Sequence, residues 1–219
     1  MYLNEHNRLP AGTEIPGDQE TYSIEQYLGL SLTAQVYRAQ GQQTKRVVAL
    51  KVLRHDVTPV SKAHFWHEAQ VLNELRVSEV QAPPTLYEQY SAEAAEYHFL
   101  ALEYVDGAQF PPLSERLEPL PEQEALEAAR QALRVLQVLH EQVGRTYTDM
   151  QLQNFRWDGK TLKILDWNHV STQREHIQQD ELARFGAETF EQLAQRDLAR
   201  FGAYFYRMLT GKGGLEQGE

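Results

Sequence analysis

The apolar residues of this 219-residue chain change period partway along, and that change limits the possible folds more than any other feature. Early on, YSIEQYLGL, AQVYRAQ and RVVALKVLR are rich in Val, Leu and Tyr and are separated by turn-type residues, the pattern of three antiparallel strands. The stretch SKAHFWHEAQVLNEL then places Phe65, Ala69, Leu72 and Leu75 at helical intervals, with Ser61 as the expected N-cap and Glu68 in mid-helix. Beyond Ala82-Pro83-Pro84, TLYEQYSA and EYHFLALEYV read as two further strands, the second ending in the connector Asp106-Gly107.

The proline-rich crossing PPLSERLEPLPEQE ends this half, and EALEAARQALRVLQVLHEQ follows with sustained helical periodicity. Short strand-like pieces flank the polar loop in TYTDMQLQNFRWDGKTLKILDWN, with Asp158-Gly159 as a hairpin signal, and Asp180 to Leu209 is helical in pattern. The expected organisation is an arm (1–21), a strand-rich lobe (22–106), a mainly helical lobe (107–211) and a Gly-rich flexible tail (212–219). The hexapeptide LARFGA occurs at Leu182–Ala187 and again at Leu198–Ala203, which is too few copies for a solenoid and suggests two similar helical segments.

Composition excludes several chemistries. With no cysteine, there are no disulfides, thiolate metal sites or cysteine nucleophiles. A formal charge of −10 repels phosphate backbones, and no basic cluster interrupts it, so nucleic acid is not an expected partner. No apolar run has the length of a membrane span and the start MYLNEHNRLPAG does not read as a secretory signal, so a cytoplasmic protein is expected. His55, His64 and His67 lack a carboxylate partner set and read as a solvated helix face, and Trp66, Trp157 and Trp167 as core or cleft aromatics.

Five polar residues remain whose order and spacing carry chemistry: Lys51 in VALK, Glu68, Asp149 and Asn154 in YTDMQLQN, and Asp166 in ILDWN. Singly, each has an ordinary reading as a surface charge, helix carboxylate or turn former. Together they resemble the eukaryotic-like serine/threonine protein kinases of bacteria, over about Leu9 to Gly211. The resemblance implies an α+β fold of two lobes, an antiparallel sheet with one helix and then a mainly helical lobe lacking the last helices, with ATP and magnesium or manganese bound between them.

It further implies that Lys51 contacts the α and β phosphates and is held by Glu68, that Asp149 accepts the substrate hydroxyl proton, and that Asn154 and Asp166 hold the metal. Gly29, Ser31 and Ala34 fall where a GxGxxG loop would cover the nucleotide, and Val36, Ala49, Leu102, Glu103 and Val105 fall on its pocket and hinge. Asp197, opening DLARFGAYFYRMLTG, corresponds to the acid that anchors the catalytic loop. In a solvated cleft, Lys51→Met would lower nucleotide affinity or rate with little effect on folding.

The chain also departs from the family pattern. Ser31 and Ala34 replace glycines, restricting close backbone approach and positive φ. Tyr147-Thr148 replace a His-Arg pair, which argues against a switch that docks a phosphate on that arginine, and Gln151 replaces a lysine near the transferred group. Asp166-Trp167 is similar to the aminoglycoside and choline kinase branch. Three functions follow: a protein kinase acting on Ser/Thr hydroxyls, a pseudokinase that binds nucleotide to switch or scaffold a partner, and a small-molecule kinase. None of these motifs specifies the substrate or oligomeric state.

Overall fold

The computed structural model describes residues 3–4, 6–78, 80–110, 118–148 and 150–212. Asp149, the first half of the proline-rich crossing and the end of the tail lie outside the described residues. The chain divides into two compact units, Met1–Asn73 with Pro84–Val105, and Glu74–Pro83 with Asp106–Glu219.

The first unit is built on a six-stranded antiparallel sheet in the order β1-β2-β3-β4-β6-β5. Its strands are β1 (Glu14–Pro16), β2 (Thr21–Leu30), β3 (Ala34–Gly41), β4 (Val47–Leu53), β5 (Leu86–Tyr90) and β6 (Phe99–Glu103), with helix α1 (Pro59–Arg76) between β4 and β5. Because side chains alternate along a strand, Tyr22 and Ile24, Tyr37 and Ala39, Val48, Leu50 and Val52, and Phe99 and Ala101 line one face and form its core.

Leu3, Leu9 and Ile15 complete that core, so the arm (1–21) packs onto the sheet and contributes a strand of its own. Its backbone is held at several points: Leu3 N–H donates to His55 Nδ1 at 2.8 Å, Leu9 N–H to the Tyr37 hydroxyl at 2.9 Å, and Gln35 Nε2 to the Asn7 carbonyl at 2.9 Å. The apolar residues there are too widely spaced to show a period, yet burying each contributes about 1.5–3 kcal/mol.

Helix α1 starts earlier than expected. Pro59 takes the first position, where its missing N–H costs nothing, and Thr58 rather than Ser61 caps the helix, its Oγ1 accepting from Ser61 N–H at 3.1 Å. The buried stripe of α1 is Phe65, Ala69, Leu72 and Leu75 as the periodicity indicates, and Glu68 is buried among them.

The second unit contains α2 (Glu122–Val138), a three-stranded sheet of β7 (Ala108–Gln109), β8 (Phe155–Trp157) and β9 (Leu162–Ile164), then α3 (Gln179–Arg184) and α4 (Phe190–Thr210). Ala125, Ala128, Ala129 and Ala132 lie on the buried face of α2. The helix continues as a π-turn over Leu139–Val143 and stops at Gly144, whose φ is 71°. The β8–β9 hairpin turns where Asp158-Gly159 indicates, with Asp158 Oδ1 accepting from Lys160 and Thr161 N–H groups.

The two LARFGA copies differ. The first ends α3 with Gly186 at φ 63°, Gly186 N–H bonded to the Ala183 carbonyl and Ala187 N–H to that of Leu182. The second runs uninterrupted inside α4. Identical residues stop one helix and continue the other because Thr189 caps a new helix directly after the first copy, its hydroxyl accepting from Gln192 N–H.

Candidate active site

In the first unit, Cα register brings Gly29, Val36, Lys51 and Leu100 into line across four strands, and Ala49 pairs with Leu102. Paired residues project on the same face, so Gly29, Val36, Ala49, Lys51 and Leu102 share the face opposite the core. Lys51 Nζ donates to Glu68 Oε2 at 2.6 Å. The lysine is 5% exposed and the glutamate 1%. This corrects the expectation of a lysine in a solvated cleft, because the ion pair is desolvated and removing one partner strands the other's charge.

The β2–β3 turn is closed on itself. Ser31 N–H donates to the Ala34 carbonyl at 2.8 Å, and Ala34 N–H to Ser31 Oγ at 3.0 Å. Arg54 holds its tip, donating from its backbone to the Thr33 carbonyl and from Nη1 to that of Leu32. Gly29, Ser31 and Ala34 all lie outside the positive-φ region, so the replacements at 31 and 34 create no backbone strain. At the strand end, Glu103 N–H donates to the Thr85 carbonyl and its carboxylate accepts from Thr85 N–H at 3.0 Å. Tyr104 lies under the Arg38 guanidinium, and Val105 is half-buried.

In the second unit, one face of α4 holds the backbone of Tyr147, Thr148 and Met150. Asp197, 3% exposed, accepts from Tyr147 N–H at 2.6 Å and sits 2.8 Å from His140 Nε2. Arg200 donates to the Thr148 carbonyl at 2.8 Å, and the Tyr204 hydroxyl to that of Met150 at 2.7 Å. Asp197 was legible in the sequence as an anchor. His140, Arg200 and Tyr204 were not, although their spacing on one helical face could have suggested Arg200 and Tyr204.

Asp166 has a φ of 65°, one of two non-glycine residues with positive φ among the described residues. The Tyr147 hydroxyl donates to the carbonyls of Leu165, at 2.9 Å, and Asp166, at 2.6 Å, while its ring packs edge-on against Trp167 at 4.8 Å between centroids. The two departures in the loop and in LDWN are thus a matched pair, a phenol and an indole packed together. Asn154 is tied to the residue before Asp166, its carbonyl accepting from Leu165 N–H at 2.8 Å. The Gln151 amide oxygen accepts from Gln153 Nε2 at 2.7 Å, which orients the side chain.

Among the described residues, no group of three or more His, Asp or Glu side chains could hold a metal by itself. Asn154 and Asp166 instead offer one amide and one carboxylate oxygen, a donor set that fits magnesium, which keeps most of its shell for water and phosphate oxygens. No helix of the described residues is long and apolar enough to cross a membrane.

Known proteins resemble this chain in sequence and in fold. The family model for the protein kinase domain matches residues 22–189. Serine/threonine-protein kinase PknB of Mycobacterium leprae (strain TN) is 29% identical over 160 residues, covering 71% of this chain and 25% of the relative, so the chain spans about a quarter of that protein's length. The crystal structure of the PF14_0431 kinase domain superposes with a TM-score of 0.75 over 97% of this chain and 70% of that one, at 13% identity, a likeness of fold. With the family match running through the strand-rich unit and into the segment after Asp166, this chain belongs to the protein kinase domain family.

Proposed function

We propose that this chain transfers the γ-phosphoryl group of ATP to a serine or threonine hydroxyl of a protein. In that reaction the hydroxyl oxygen bonds to the γ-phosphorus, the bond from that phosphorus to the β–γ bridging oxygen breaks, and ADP leaves. Asp149 takes the hydroxyl proton, Lys51 offsets the charge of the α and β phosphates, and Glu68 fixes that ammonium. Magnesium, held by Asn154 and Asp166, supplies charge neutralisation at the phosphates when bound. Gly29, Ser31, Ala34, Val36, Ala49, Leu102, Glu103 and Val105 cover and line the nucleotide, and Gln151 stands beside the transferred group in place of a lysine. We place this reaction in the cytoplasm as part of the same proposal.

The observation that carries this reading is the left-handed backbone of Asp166, held by Tyr147. Strain at a non-glycine residue persists where the surroundings enforce it and clusters at functional sites. A second reading, a pseudokinase, is favoured by the closed β2–β3 turn, whose Ser31 and Ala34 amides are used internally. The test is incubation of the purified chain with γ-labelled ATP, magnesium or manganese and generic protein substrates, beside Asp149→Ala and a panel of sugars, amines and antibiotics. Label on protein with the parent alone supports a protein kinase. Nucleotide binding without transfer to any acceptor supports the pseudokinase, and label on a small molecule alone assigns the third function.

A further inference from the structure

We propose that Arg145 is a positioning residue that latches the segment after Asp166 in its working arrangement, so that transfer needs no phosphorylation of that segment. This rests on the kinase reading above. Arg145 is 3% exposed and makes a two-point ion pair with Glu74, Nε to Oε2 at 2.6 Å and Nη2 to Oε1 at 2.9 Å. Its remaining arm, Nη1, donates to the Ser171 carbonyl at 2.7 Å. A guanidinium has donors enough to be fixed by one carboxylate and still hold a second group, which a lysine could not do with the same geometry.

Around this contact two stretches are zipped together. Ser171 N–H donates to the Thr146 carbonyl at 2.8 Å, and Thr146 N–H donates back to Ser171 Oγ at 2.9 Å. Tyr147 bridges Val170, the Thr148 hydroxyl donates to the His169 carbonyl at 2.6 Å, and Arg174 N–H donates to the Gly144 carbonyl at 2.7 Å. The same stretch, residues 144–148, leads into residue 149 and is held from its other side by Asp197 and Arg200.

From Trp167 to Glu188 the only side-chain hydroxyls are those of Ser171 and Thr172. Ser171 is 2% exposed and its hydroxyl donates to the Thr172 carbonyl at 2.9 Å while accepting from Thr146. Thr172 N–H donates to the Glu181 carboxylate at 2.8 Å, so a phosphoryl group there would meet a negative charge. Arg145 is engaged by Glu74, and Arg174 pairs with Glu191 at 3.1 Å and stacks on Phe190. The segment has the ordering contacts that a phosphate would otherwise supply, and Arg145 and Arg174 beside it are already paired.

The test uses the purified chain, shown by mass to be unphosphorylated at Ser171 and Thr172, beside Arg145→Met and the double variant Arg145→Met/Glu74→Met. The double variant removes the buried Arg145 charge together with its half-buried Glu74 partner and keeps the fold testable. Losing a charge-assisted hydrogen bond should speed amide exchange over residues 169–174 by on the order of tenfold to a hundredfold in both variants. The rate constant for transfer should fall while KM for ATP stays near the parent value. The parent should transfer at full rate without phosphate on the segment.

The proposal is overturned if the parent becomes active only when Ser171 or Thr172 is phosphorylated, or if the double variant keeps parental exchange at 169–174. Should no form transfer phosphate, the kinase reading fails, and the exchange measurement still decides whether Arg145 latches the segment.

Discussion

Replacing Lys51 by methionine keeps most of the side-chain volume and removes one ammonium from a pair that is almost fully buried, at 7% and 1% side-chain exposure. What remains is the Glu68 carboxylate, in the middle of the apolar stripe of α1, without the cation 2.6 Å away. Breaking a buried pair from one side costs about 3–5 kcal/mol, because the surviving charge keeps its desolvation penalty and loses the attraction that offset it. For a chain of this size that is a drop in Tm of about 6–20 °C. Lys51→Met/Glu68→Leu removes both charges and fills the site with apolar atoms, so it should recover most or all of the loss. Nucleotide affinity, which depends on the ammonium itself, should stay low in both variants. The assay is thermal denaturation of parent, both single variants and the double, read as a double-mutant cycle, with nucleotide binding measured on the same samples. The reasoning is refuted if Lys51→Met melts with the parent, or if the two substitutions are simply additive. Either result would mean that water screens the pair.

Two further outcomes can be checked by melting. Gly202→Ala should stabilise by about 0.5–1 kcal/mol, since a Cβ there meets nothing within 4 Å and the residue is mid-helix in α4. Gly186→Ala, the same position of the repeat, should destabilise by about 1–2 kcal/mol, because its backbone has a φ of 63°; equal effects at the two sites would contradict the different endings of the two copies. Burial lowers the His98 pKa below its ordinary value of 6.5, with smaller contributions from Lys62 and His55. Folding therefore favours neutral His98: its stabilisation is complete above pH 6.5 and declines as pH falls through the lower folded value. Tm should drop on acidification from pH 7, and His98→Gln should flatten part of that drop; an unchanged profile would remove His98 as its source.

Much of this protein is legible from local pattern. Alternating apolar residues define β2, β3 and β4, the helical period defines α1 and α2, and Asp158-Gly159 marks a hairpin, because the hydrogen bonds of a strand turn or helix are made within a few residues. The polar residues Lys51, Glu68, Asp149, Asn154 and Asp166 stand out by order and spacing, and Asp197 through the family resemblance. What they touch was less legible. Lys51 is buried because α1 lays Glu68 against β4, and the tertiary fold brings the Tyr147 and Trp167 rings edge-on against each other.

The sequence by itself determined the periods, the turn and the order of the polar groups, all of which depend on neighbours along the chain. Only the tertiary structure decided that Leu3, Leu9 and Ile15 close the core, that one LARFGA ends a helix while the other continues one, and that Arg145 binds both Glu74 and Ser171. Burial and a charged group's choice of partner are set by residues distant in sequence, and no local pattern encodes which distant residue arrives.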